Sequence, residues 1–154
     1  MRLGHIIKHA SNGVPNMPDW RPKLRSRADG NPRIMGILNI TPDSFHGQSR
    51  YETVESATKE AISMAENGAD WIDVGGESTR PGSRAVPPRE EESRVVPVIQ
   101  SIRDELPDIG ISIDTRRSAV ASASLQAGAD MINDVSSLGD SGMAGVIVEY
   151  GCPV

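Results

Sequence analysis

The chain has 154 residues, 37% hydrophobic, 3% aromatic and 24% charged, with fifteen glycines and eleven prolines scattered through it. That apolar content suffices for one globular core and excludes a disordered or collagen-like chain. No apolar run approaches the roughly 18 residues of a membrane span. The lone Cys152 allows neither a disulfide framework nor a cysteine zinc site, and a net charge of −5 gives no general attraction to nucleic acid.

The opening residues, MRLGHIIKHAS, lack an apolar stretch of signal-peptide length and a small-residue cleavage site. A reducing cytoplasm is the expected compartment, with no membrane partner. Residues 1–33 carry seven basic side chains against Asp19 and Asp29, and they contain Pro15, Pro18, Pro22 and Pro32. They read as a basic, irregular N-terminal arm, with the domain proper at 34–154. Aromatic interleaving in the arm is limited to Trp20, so a solvated tail is favoured over a nucleic-acid contact.

Short apolar runs alternate with longer amphipathic segments. Residues 34–40 (IMGILNI) predict a buried strand, and 52–67 a helix with Val54, Ala57, Ala61 and Ala65 on one face. Gly68 follows as a left-handed cap. Strand 71–74 (WIDV) comes next, then a helix over about 90–106 in which Pro97 predicts a kink or a late start. The acidic run Glu90–Glu92 reads as the solvated first turn of that helix. Strand 109–113, helix 117–127, strand 131–135 and a helix within 141–150 complete the series. A GAD triplet at 68–70 and again at 128–130 marks the same event twice, a helix stopping on glycine and a strand starting two residues later.

Strands alternating with helices predict parallel strands joined by right-handed crossovers, either an open doubly wound sheet or a (β/α) barrel. Each apolar run ends in a polar cluster: Asn39 with Thr41, Asp73 and Glu77, Asp114 with Thr115, Asn133 with Asp134. These residues could simply cap the following helices. Four ends out of four favour a shared barrel mouth instead, and the first turn, ILNITPDSF, carries no GxGxxG.

Two constellations suit small-molecule chemistry. The loop GGESTRPGS at 75–83 combines paired glycines with Thr79 and Arg80, donors suited to phosphate or carboxylate; an ordinary polar loop with a helix cap is the competing reading. Asp114 and Asn133 could hold a heterocycle with an adjacent donor–acceptor edge, such as an aminopyrimidinone. Capping by Asp114 and a cross-strand bond from Asn133 are the alternatives. Asn39 could offer one oxygen to a Mg²⁺ otherwise held by water and pyrophosphate. His5, His9 and His46 form no metal pattern, and no Ser/His/Asp or Cys/His set assembles.

MGILNITPDSF at 35–45, IDVGGESTRPG at 72–82, SIDT at 112–115 and IND at 132–134 closely resemble the dihydropteroate synthases, in that family's order and spacing. The resemblance runs from about residue 33 to 154. It implies the first four βα units, half of a TIM-type (β/α)₈ barrel, and a transferase of folate biosynthesis. That enzyme condenses 6-hydroxymethyl-7,8-dihydropterin pyrophosphate with p-aminobenzoate to 7,8-dihydropteroate and pyrophosphate. By resemblance, Asp114 and Asn133 hold the pterin edge, Thr79 binds substrate, and Arg80 serves the pyrophosphate or the p-aminobenzoate loop. Phe45 and Pro81 line the p-aminobenzoate pocket, and Asn39 helps coordinate Mg²⁺. Asp114 and Arg80 are the residues expected to act in catalysis.

Three features depart from the family pattern. Residues 46–49 read HGQS where SDGG is usual, and Arg116 and Arg117 follow Asp114-Thr115 where a small hydroxyl residue and lysine are usual. The family's later motifs, which supply a second pterin carboxylate, a lysine and an Arg–His pair, do not occur. The chain alone is therefore expected to be weakly active or inactive, and to work as a homo-oligomer or with a complementing C-terminal half. The alternative is a non-catalytic pterin-binding or interaction module that dimerises through its open half barrel.

Overall fold

A computed structural model describes residues 27, 29–40, 50–78 and 85–154. Eight elements alternate: β1 (Met35–Asn39), α1 (Arg50–Glu66), β2 (Trp71–Gly75), α2 (Pro88–Glu105), β3 (Gly110–Asp114), α3 (Ser118–Gln126), β4 (Met131–Asn133) and α4 (Met143–Tyr150). The strands form one parallel sheet in the order β1-β2-β3-β4. Sequential order means that every crossover steps the same way, which puts all helices on one face. Accordingly α1 packs on α2, α2 on α3 and α3 on α4. This is the winding of a (β/α) barrel; a doubly wound sheet reverses its strand order instead. The Ile132 amide donates to the Pro153 carbonyl at 3.0 Å, so residue 153 lies along β4 where a next strand would run.

Parity along the strands separates the two faces. A Cβ on Gly36 would strike Met64, and one on Gly76 would strike Val95 and Glu91, so the even positions of β1 and β2 face the helices. There Leu38, Val74, Ile113 and Ile132 share one row of the register and lie at most 2% exposed. Ala57 and Ala61 of α1, Val95, Val98 and Ile99 of α2 and Val120 of α3 cover them, all fully buried. The opposite face carries Trp71, whose ring occupies the space that a side chain on Gly110 would need. Above it lie the rows Ile37, Asp73, Ser112, Met131 and then Asn39, Gly75, Asp114, Asn133.

The two GAD triplets are structural pins. Gly68 and Gly128 end α1 and α3 with φ of +98° and +114°, the left-handed conformation glycine tolerates. Asp70 then accepts the Ile34 amide at 2.8 Å, and Asp130 accepts the Ile111 amide at 2.9 Å. Each aspartate thus holds the neighbouring strand in register. Each is also paired with an arginine, Asp70 with Arg27 at 2.9 Å and Asp130 with Arg103 at 2.7 Å, and each arginine donates to the carbonyl of the preceding glycine. Arg33 adds a second contact to Asp70 at 2.7 Å. The arginine hydrogen bonds and the Ile34 amide hold the Asp70 carboxyl far below the usual carboxylate range.

Of the two readings of Pro97 the late start is excluded, since helix α2 starts at Pro88, in the first turn where proline is tolerated, and runs through Pro97. Two sequence expectations are corrected. Strand β4 stops at Asn133, because the Asp134 carboxylate captures the Ser136 and Leu138 amides in a turn that leaves Val135 60% exposed. The acidic run is not uniformly solvated, since Glu91 is 1% exposed and bonded to the next strand end. No helix among the described residues is long and apolar enough to cross a membrane.

Removing a buried ion-pair partner leaves its charge uncompensated. Asp130→Ala should therefore lower stability by roughly 3–5 kcal/mol. Glu55→Ala, which removes an exposed pair to Lys59 on α1, should change it by less than about 0.5 kcal/mol. Urea unfolding of both variants checks the contrast.

Candidate functional site

Parallel register places Asn39, Gly75, Asp114 and Asn133 side by side across the carboxyl ends of the four strands. Gly75 keeps this row open. A Cβ there would stand 3.3 Å from Asn39 Oδ1 and 3.5 Å from Asp114 Oδ2, so the two side chains flank the bare backbone between them. Asp114 and Asn133, which close consecutive strands, are direct register partners. The Asp114 carboxylate receives no hydrogen bond from any described residue; it caps nothing and stands half-buried. Burial pushes its pKa up to about 6, helped by the negative charges of Asp73, Glu91, Asp134 and Glu77.

Asn133 is fixed from below. Its Nδ2 donates to Asp73 Oδ2 at 3.0 Å, so the cross-strand alternative holds for this residue through a side chain two strands away. Asp73 is 5% exposed and its other oxygen, Oδ1, has no partner among the described residues; neither has the buried Ser112 hydroxyl beside it. Asp73 went unremarked as a partner in the sequence, although a carboxylate inside the fully buried strand WIDVG is itself a signal.

A second network braces the mouth from the helix side. Thr115 Oγ1 donates to Glu91 at 2.6 Å, and Arg117 reaches both Glu91 and Glu77. Arg116 closes on Glu77 at 2.7 Å, and Arg94 donates to the Gly76 carbonyl at 2.9 Å. The arginines that depart from the family pattern after Asp114-Thr115 thus tie the end of β3 to the residues following β2. Asp140 caps α3 from the far side through the Ser118 amide at 2.9 Å. Cys152 is buried, which raises its thiol pKa.

Thr79, Arg80, Pro81, Phe45, Thr41 and the HGQS segment lie outside the described residues. Among the described residues no group of three His, Cys, Asp or Glu side chains could cage a metal ion. The hard oxygen that the row would offer a cation is Asn39 Oδ1, beside the bare backbone of Gly75; one such ligand fits a Mg²⁺ that keeps waters and substrate phosphates as its remaining ligands.

Fold and site together define half of a (β/α) barrel whose strand ends align Asn39, Gly75, Asp114 and Asn133 in one row. Residues 35–154 match the family described as pterin binding enzyme, and the chain belongs to that family. It is 53% identical over 121 residues to a probable bifunctional folylpolyglutamate synthase/dihydropteroate synthase of Halobacterium salinarum, covering 79% of this chain and 15% of that protein. It is 50% identical over 127 residues to the dihydropteroate synthase of Streptococcus pyogenes, covering 82% and 47% respectively. Among solved structures, the Xanthomonas albilineans dihydropteroate synthase with 4-aminobenzoic acid superposes with a TM-score of 0.75 at 44% identity, over 80% of this chain and 46% of that one. The chain thus spans half or less of these relatives, and the four-stranded sheet corresponds to half of their barrel.

The raised pKa of Asp114 fixes the sign of a pH effect. Between the ordinary aspartate value near 4 and about 6, the folded chain binds more protons than the unfolded one, so stability falls as pH rises through that window. Asp114→Asn should therefore be more stable than the parent at pH 8, and the difference should vanish near pH 4. Urea midpoints at the two values test this, and a pH-independent difference would contradict it.

Proposed function

We propose that this chain forms the pterin-binding half of a dihydropteroate synthase. One observation carries the reading: a half-buried carboxylate that no described residue supplies with a donor, Asp114, stands in register with an asparagine whose amide is held from below. An aminopyrimidinone ring brings a ring N–H and an exocyclic amine along one edge, the donors such a pair lacks. The relatives named dihydropteroate synthase, and the family's description, support the same ligand. The 4-aminobenzoic acid in the Xanthomonas structure supports p-aminobenzoate as the second substrate.

The reaction proposed for the protein carrying this site is a substitution at the exocyclic methylene of the pterin. The arylamine nitrogen forms the new C–N bond, the C–O bond to pyrophosphate breaks, and the amine gives up a proton. Asp114 and Asn133 hold the ring flat across the strand ends and fix its methylene toward the loops. Arg80 and Thr79 meet the departing anion, where fixed donors are worth most as charge develops. Phe45 and Pro81 form the wall against which the aryl ring lies. Asn39 would supply the protein ligand of a Mg²⁺, whose chemistry there would be to neutralise pyrophosphate charge.

A complementing C-terminal half or a second copy completing the barrel is part of the proposal. One observation favours a partner against β1: Ile37, on the concave face, is 66% exposed, and Met35 on the same face is 40% exposed. The same surface would serve the second reading, a non-catalytic pterin-binding module that dimerises; solution mass with and without pterin separates the two. A cytoplasmic location accords with the single, buried thiol.

Titrating 6-hydroxymethylpterin into the purified chain should give saturable 1:1 binding. Asp114→Ala should weaken it at least tenfold, since a charge-assisted hydrogen bond is lost. Absence of saturation, or equal affinity in the variant, would contradict the proposal.

A further inference from the structure

We infer that Asp73 is a positioning residue that sets the ligand specificity of the mouth by locking the Asn133 amide with its oxygen outward. The inference rests on the reading of Asp114 and Asn133 as the ligand edge. Asparagine is ambivalent: its side chain ends in a donor and an acceptor, and an unconstrained amide can present either. A carboxylate only accepts. The contact of 3.0 Å to Asp73 Oδ2 therefore requires the Asn133 nitrogen to face down into the barrel, which turns Oδ1 toward the mouth. Beside the Asp114 carboxylate this gives two adjacent acceptors, and the site selects a ligand edge with two adjacent donors. With the amide reversed, the same residues would offer one acceptor and one donor, and would select a different heterocycle.

The path of this contact is built into the sheet. Asp73 lies on β2 and Asn133 on β4, so the bond crosses β3 on its concave face between Ser112 and Asp114. Only a small side chain at 112 leaves that path clear, and serine is there, fully buried and unbonded among the described residues. Asp73 itself is too buried to receive a ligand directly, and its Oδ1 has no partner among the described residues. A buried carboxylate held by a single side-chain bond contributes little to stability. Its gain is the fixed orientation of the amide above it.

The test uses the whole 154-residue chain labelled with ¹⁵N, with 6-hydroxymethylpterin as ligand. In the unliganded parent, one Nδ2 proton of Asn133, assigned by its loss in Asn133→Asp, should exchange with solvent markedly more slowly than those of the exposed Asn31 and Asn67. Asp73→Leu is close in size and offers no acceptor, so it frees the Asn133 amide to turn. It should remain folded by circular dichroism, lose the slow exchange of the Asn133 Nδ2 proton and bind the pterin at least threefold more weakly. The exchanged pair Asp73→Asn with Asn133→Asp restores an acceptor at the mouth and should bind to within about threefold of the parent. Unprotected Asn133 protons in the parent, slow exchange or undiminished affinity in folded Asp73→Leu, or failure of the exchanged pair to bind would overturn the inference. If the parent binds no pterin, the proposed function fails, and the exchange rate in the parent still decides the orientation of the amide.

Discussion

Parallel register is the constraint on which the mouth depends. Four strands paired in parallel register end level, so that Asn39, Gly75, Asp114 and Asn133, separated by up to 94 positions in the chain, become one row. A slip of one residue would send each of them into the apolar layer under the helices and bring Leu38 or Ile113 to the surface. Register is held at the opposite end by Asp70 and Asp130, each of which accepts an amide of the strand beside it and neutralises an arginine in doing so. The pins lie at the closed end and the chemistry at the open end, as the division of labour in a (β/α) barrel requires.

The mouth is crowded with negative charge, and the two ways it is managed differ. Glu77 and Glu91 are answered by Arg116, Arg117 and Thr115, which turns them into braces between β2, α2 and β3. Asp114 has no such answer among the described residues, and burial beside four negative charges raises its pKa. A group kept at that disadvantage in the free protein gains most when a donor-bearing ligand arrives, which is how binding energy is stored in a preorganised site.

Much of this could be read in the chain. The alternation of apolar runs with amphipathic stretches located all eight elements, because buried parallel strands and surface helices differ in length and period. The repeated GAD triplet was visible, but its meaning was not: the arginines that complete each pin, Arg27 and Arg103, sit 43 and 27 residues from their aspartates. Asp114 and Asn133 were legible as a pair because both close a strand. Asp73 as the anchor of Asn133 was not, because its contact spans 60 residues and crosses an intervening strand. Glu91 misled for a local reason, since an acidic first turn ordinarily faces water, and only the fold brings Arg117 and Thr115 over it. Thr79, Arg80, Phe45 and Pro81 lie outside the described residues, so their places rest on the motif they belong to.

The central claim is that Asp114 and the outward oxygen of Asn133 together accept the donor edge of a pterin. A crystal structure of this chain with 6-hydroxymethylpterin tests it most directly. The ring N–H and exocyclic amine should lie about 2.7–3.2 Å from Asp114 Oδ and Asn133 Oδ1, with the hydroxymethyl group toward the loop that follows β2. A pterin seated elsewhere on the chain, or oriented with its amine away from both residues, would contradict the claim.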